Sequence, residues 1–188
     1  DPEILTFESP AAWHAWLTKN HASSKGIFIR IGKKDSGILS ITAAEALEVA
    51  LCHGWIDAIR KAGDDKTFLQ RYTPRGPRSI WSEINKKKVQ QLIKAKLMLP
   101  AGLAAVQRAK ENGQWANAYA PASTITVPPD LEAALKKNKK AREFFATLKG
   151  SNRYAFLHRL VTAKKPETRA KRLATFIGMM ERGEVFYP

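Results

Sequence analysis

A single cysteine, Cys52, in a chain of 188 residues excludes an internal disulfide and a thiol pair for redox or zinc chemistry. The four histidines, His14, His21, His53 and His158, stand at no spacing that a metal site uses, so no metal and no cofactor is expected. No stretch approaches the roughly 18 consecutive apolar residues that a membrane-spanning helix requires. Also missing are a glycine-rich phosphate loop, a nucleophile elbow, a dinucleotide fingerprint and an RNP-type aromatic motif. Acidic residues are scarce too: 17 Asp and Glu stand against 32 Lys and Arg, for a formal net charge of +15.

What is present is enough apolar material for a core, 44% of residues, in one domain or two closely packed subdomains. The chain opens Asp1-Pro2-Glu3, with no charged-then-apolar leader. With one cysteine, that start sets the expected compartment as the cytoplasm, or the periplasm if a leader has been removed. The positive charge is uneven. Through Tyr72, nine bases balance nine acids; from Thr73 to Ala120 nine face two, and from Pro121 onward fourteen face six. A field of that sign attracts polyanions, although solvated lysine-rich helix faces such as Lys136–Lys140 and Lys171 account for part of it.

The pattern of residues divides the chain near 78/79. Ser9-Pro10 ahead of Trp13, Trp16 and Leu17 predicts a capped amphipathic helix. Ile27, Ile29 and Ile31 alternate as in a strand, and Asp35-Ser36-Gly37 predicts a turn into Ile38–Ile41 as its hairpin partner. Thr42 and Glu45 form a capping box for a helix that Gly54 ends. Trp55–Lys61 and Lys66–Thr73 predict a second hairpin around Ala62–Asp65. Beyond Pro77 only helices are predicted: 82–97, one opened by Pro100, 130–137, 139–148, one capped by Ser151, and one from Pro166. The expected fold is α+β: an N-terminal antiparallel sheet unit with one or two helices over 1–78, then a basic all-helical part over 79–188, with a linker at about 120–129.

Four clusters carry the candidate chemistry. In Arg71–Asn85, Arg71, Arg75 and Arg78 surround Gly76-Pro77, with Ser79 or Ser82 as the cap of the next helix. Guanidinium forks and helix-start N–H groups together suit an anion. Trp81, Asn85, Val89 and Leu92 share a stripe, which turns Asn85 inward toward a ligand or toward backbone groups of the loop. In His53–Asp57, Trp55 and Asp57 project to one face, where Asp57 either pairs with Arg71 or Arg75 or acts as a general base. His53 at a helix C-terminus would have its protonated form favoured by the dipole. Toward the C-terminus, Lys165, Arg169 and Arg172 share a helical face, and Arg169 at the edge of the buried stripe needs an acidic partner or a bound anion. Arg153 and Tyr154 stand on the preceding helix and can join them. Trp115 and Tyr119, four apart, either stack a ring or pack a helix.

These motifs carry a resemblance. Ala50–Asp57, Thr73-Pro74-Arg75, Ser79–Asn85, Gly102-Leu103-Ala104, Asn152-Arg153-Tyr154 and Ala163–Arg169 together resemble the YdeI/OmpD-associated family, also labelled bacteriocin-protection proteins. The likeness spans about Trp13 to Met180 and implies a role in envelope stress and resistance to bacteriocins or cationic peptides. It brings no catalytic residue with it. The leading expectation is a non-enzymatic stress-protection protein that binds an anionic partner, nucleic acid or a nucleotide, through Arg75, Arg78, Arg153 and Arg169. The alternative is an enzyme for a small phosphorylated or carboxylated substrate, with Asp57 or His53 moving protons. A third reading is an envelope partner protein. The sequence sets no oligomeric state.

Overall fold

The computed structural model describes residues 2–188. Contacts divide them into two compact units. The first runs through Trp81 and resumes over Asn85–Asn117; the second comprises Ser82–Ile84 and Ala118–Pro188.

The first unit holds the sheet. Helix α1 (Pro10–Asn20) begins with Pro10 in its first turn, and Ser9 caps it by accepting the Ala12 N–H through Oγ. Helix α2 (Ala43–Cys52) has both halves of the Thr42–Glu45 capping box, and Gly54, at φ 74°, turns the chain out of it. Four strands follow the order β1 (Ile4–Leu5), β2 (Ile27–Gly32), β4 (Thr67–Pro74), β3 (Trp55–Ala62). The β3–β4 hairpin closes through Asp64, whose Oδ1 accepts the N–H groups of Lys66 and Thr67. Two details differ from expectation. The segment Ile38–Ile41 forms no strand, and β2 pairs instead with β4 along its whole length, from Ile27↔Tyr72 to Gly32↔Thr67. The eight-residue β4 offers β2 a full antiparallel ladder, whereas Ile38 and Leu39 are 43% and 71% exposed and give a strand nothing to bury. The edge strand β1 then adds to β2 in parallel, so the sheet is antiparallel except at that edge.

Strand alternation places Ile27, Ile29, Ile31 and Tyr72 toward α1 and α2, where they meet Trp13, Leu17, Ala46 and Ala50. Trp13 centres this core, with the rings of Phe7, Trp16, Tyr72 and Trp55 at 5.1, 5.4, 5.7 and 6.1 Å. Both buried indoles donate to backbone carbonyls, Trp13 to Ala46 at 3.0 Å and Trp55 to His21 at 3.2 Å. Helices α3 (Glu83–Lys94) and α4 (Pro100–Glu111) follow the sheet in sequence. Helix α4 abuts the C-terminus of α2 at Gly102, where a Cβ would lie 2.3 Å from the Cys52 carbonyl oxygen. That carbonyl also accepts the Leu99 N–H at 3.1 Å.

The second unit is helical: α5 (Pro129–Lys137), α6 (Lys139–Thr147), α7 (Gly150–Val161) and α8 (Pro166–Glu181). Asn138 divides the first two and caps α6, its Oδ1 accepting the Ala141 N–H. Helix α7 begins one residue before the expected Ser151 cap. Gly150 takes φ 53° and opens the helix, leaving Lys149 at the cap position with no side-chain cap bond. The core joins Leu131 and Leu135 of α5, Ala141 of α6, Phe156, Leu157 and Leu160 of α7, and Phe176 and Met180 of α8. No helix among the described residues is long and apolar enough to cross a membrane.

Candidate functional site

In the Arg71–Asn85 segment the arginines have separate environments. Arg71 lies opposite Phe28 in the ladder, with its guanidinium 5.8 Å from that ring. Arg75 is only 6% exposed: its guanidinium stacks on Trp81 at 3.6 Å and donates to Ser79 Oγ and the Ile80 carbonyl, both at 3.1 Å. A Gly76–Ser79 turn, Ser79 N–H to Gly76 carbonyl at 3.0 Å, sets Ser79 in place to accept that bond. The cavity beside Arg75, lined also by Pro77, Arg108 and Asn112, has a volume of about 10 Å³. That is room for one water and not for a phosphate. Arg78 is exposed, Ser82 and Asn85 are half-buried, and Glu83 puts a carboxylate into the first turn of α3, where an incoming anion would meet it. Trp115 meets Trp81 edge-on at 4.9 Å with the ammonium groups of Lys86 and Lys110 near its face, so it packs rather than presenting an open ring.

The His53–Asp57 cluster departs from both sequence readings. Asp57 faces Tyr72 across the ladder, and Arg71, the next residue along β4, points to the opposite side of the sheet. None of the ion pairs among the described residues includes Asp57, which is exposed at the edge strand. Exposure removes the desolvation a general base there would need. Trp55 is a core residue, 1% exposed. His53 is 3% exposed, its Nε2 3.1 Å from His14 Nδ1 and its ring 5.6 Å from that of His21. Burial first, then His14 and His21, lower its pKa to about 4. The helix dipole, which favours the protonated form, is outweighed here by the loss of solvent and by the two neighbouring imidazoles. The three rings do not form a metal site: among the described residues no group of three His, Cys, Asp or Glu side chains is arranged to hold an ion.

In the second unit Arg169 has found its acid. Nε and one terminal nitrogen form a fork on Asp130 at 2.6 and 2.9 Å, and the other terminal nitrogen reaches the Leu160 carbonyl at 3.2 Å. The bond from Arg169 holds the Asp130 carboxyl below its usual range. Arg153 lies against Phe145, 5.7 Å from its ring, and Lys165 is an exposed residue at the start of α8.

Arg172 and Tyr154 differ from these. They line an open groove of about 980 Å³ between α7 and α8, together with His158, Arg159, Thr162 and Tyr187. Tyr154 is anchored by its hydroxyl, which donates to the Ala120 carbonyl at 3.1 Å. Arg172 donates one N–H to the Arg159 carbonyl at 2.7 Å, which leaves four N–H donors of its guanidinium outside that bond. Arg159 lies over Phe186, 4.0 Å from the ring centroid, and donates to the Ala155 carbonyl at 3.4 Å and the Tyr187 hydroxyl at 3.5 Å. His158 sits between Tyr119, edge-on at 4.5 Å, and Tyr154 at 5.4 Å. No carboxylate lines the groove among the described residues. His158, Arg159 and Tyr187 were absent from the sequence-derived clusters. The signal was available in α7, where Ser151, Tyr154, Ala155, His158 and Thr162 recur at helical spacing as a mixed polar and aromatic stripe.

Fold and groove define a class: a chain in two units, α+β then all-α, whose helical unit carries a cationic, aromatic-lined groove. Residues 5–105 match the family described as "Domain of unknown function (DUF8412)", and residues 124–183 match "Bacteriocin-protection, YdeI or OmpD-Associated". The chain belongs to the first of these families and carries the YdeI/OmpD-associated domain in its helical unit, which bears out the resemblance read from its motifs. Neither the curated proteins nor the solved structures contain a match to it.

Proposed function

We propose that this is a non-enzymatic binding protein whose helical unit takes up a small anionic ligand in the α7–α8 groove. The chemical class is a phosphorylated or sulfated compound with a planar ring, such as a nucleotide. The observation that carries the reading is Arg159 and Arg172 converging on a groove of about 980 Å³ with no carboxylate in its lining. That volume lies at the upper end of small-molecule sites, roughly 300–1,000 Å³. Planar guanidiniums grip a phosphate or sulfate at two points, and the rings of Tyr154 and Tyr187 offer apolar faces beside them. The place differs from the Arg71–Asn85 loop favoured by sequence, because Arg75 is buried against Trp81 with one terminal nitrogen donating to Ser79 and Ile80, and the cavity beside it holds only about 10 Å³. A reducing compartment, with Cys52 free and buried, is the setting proposed for it.

All five tryptophans lie before Asn117, so indole fluorescence is a poor reporter of this groove. Isothermal titration with adenosine and guanosine monophosphate is the direct test. Arg172→Ala is expected to weaken binding by roughly 10- to 100-fold, the worth of one charge-assisted contact of about 1.5–3 kcal/mol. Equal heats from wild type and Arg172→Ala, or no heat at millimolar nucleotide, would remove the proposal.

A further inference from the structure

The groove contains one titratable side chain that binding itself would charge. His158 lines it midway along α7, and its ring makes no hydrogen bond to any described residue; the Thr162 Oγ1 and the Thr162 N–H both donate to its backbone carbonyl, at 2.7 and 3.0 Å, and not to the imidazole. The groups around the imidazole are known from each side. Helix α7 brings Arg159 and Tyr154, α8 brings Arg172, the segment ahead of α5 brings Tyr119, and the C-terminal segment brings Tyr187. Two of these are permanent cations and none is a carboxylate. A proton on His158 therefore meets partial burial first and then the like charge of Arg159 and Arg172, which together hold its pKa below the ordinary histidine value.

Resting on the groove as an anion site, we infer that His158 is a third ligand-binding residue, which becomes protonated as the anion binds and donates an N–H to it. An anion between Arg159 and Arg172 reverses the local field. The same imidazole then faces a negative charge within contact range, and one ring nitrogen is free to donate. Binding and protonation are reciprocal: an anion that raises the affinity of His158 for a proton is itself bound more tightly as pH falls. One linked proton gives up to a tenfold gain in affinity per pH unit between the midpoints of the empty and filled groove. The residue also selects among ligands. A dianion that offers an oxygen to His158 as well as to the arginines gains from the proton, whereas a monoanion satisfied by the two arginines gains little.

The test is an NMR titration of the histidine imidazoles of the full chain, with and without inorganic sulfate, whose charge stays fixed across pH 4–8. His158→Gln assigns the signal among the four histidines. With sulfate, the His158 midpoint is expected to rise by about one pH unit or more, and sulfate affinity to rise as pH falls in wild type but not in His158→Gln. If the arginine side-chain signals of Arg159 and Arg172 respond to sulfate while the His158 midpoint stays put, the inference fails and the groove reading survives. If no signal responds to sulfate, both fail. The wild-type titration decides the matter even should the variant prove unstable.

Discussion

The buried imidazole of His53, beside those of His14 and His21, makes the first unit sensitive to acid. Folded, His53 stays neutral down to about pH 4; unfolded, it takes up a proton near its ordinary value of 6.5. Between those values the unfolded chain binds more protons than the folded one, so stability is full above about 6.5 and declines as pH falls toward 4. The loss from this residue amounts to roughly 3 kcal/mol across the interval. Urea unfolding at pH 7 and pH 4.5 measures it, and His53→Gln is expected to flatten the profile. Profiles that run parallel for wild type and variant would show that another group is responsible. Single residues were legible in the sequence where one strong rule governed them. The demand of Arg169 for an acid was one such case, although Asp130 was not named because it lies 39 positions away in the chain. The surroundings of His53 were not legible, because two of its neighbours come from a different helix.

Helix starts were the clearest elements to read. Ser9-Pro10, the Thr42–Glu45 box and the Pro166 start all depend on residues within one turn of each other, and the structure has each of them. The partner of β2 was not legible. A nearby apolar run and a distant one look alike in sequence, and the choice fell to the strand that completes a longer ladder and buries more. The packing of α4 on the end of α2 is a further element-level feature, and it hangs on Gly102. Gly102→Ala would force a methyl to within 2.3 Å of the Cys52 carbonyl oxygen, with backbone rather than a mobile side chain as the obstacle. The expected cost is about 1–3 kcal/mol, seen as a lower urea midpoint with an unchanged slope. Gly178→Ala, which meets only the end of the Arg182 side chain at 3.2 Å, serves as the control and should cost far less. Equal losses in the two variants would contradict the close approach.

For the whole molecule, the two family matches end and begin at residues 105 and 124, and the change of unit at Asn117 and Ala118 falls between them. The sequence pattern suggested a division where strand signals stop. Contacts gather α4 and most of α3 with the sheet, and Trp81, Val89, Ala105, Val106 and Ala109 are buried residues of that first unit. Helical periodicity alone carries no information on which core a helix joins, which is why this part of the plan was hidden. A fragment ending at Asn117 retains every strand and the Trp13 core, so it should unfold cooperatively on heating, followed by circular dichroism. A broad, non-cooperative melt would show that the first unit does not stand alone.

The helical unit also claims Ser82–Ile84, where Ser82 bridges Tyr119 and the Glu83 N–H donates to the Tyr119 carbonyl at 2.9 Å. Those three residues leave the ribosome long before the rest of their unit. They must wait, already attached to a completed neighbour, until Tyr119 and the helices behind it have been synthesised. No single cut in the gene separates the two units intact, because any break that spares the first takes this tripeptide away from the second. Evolutionary shuffling of the helical unit onto another protein would face the same obstacle: it travels whole only if a short upstream piece travels with it.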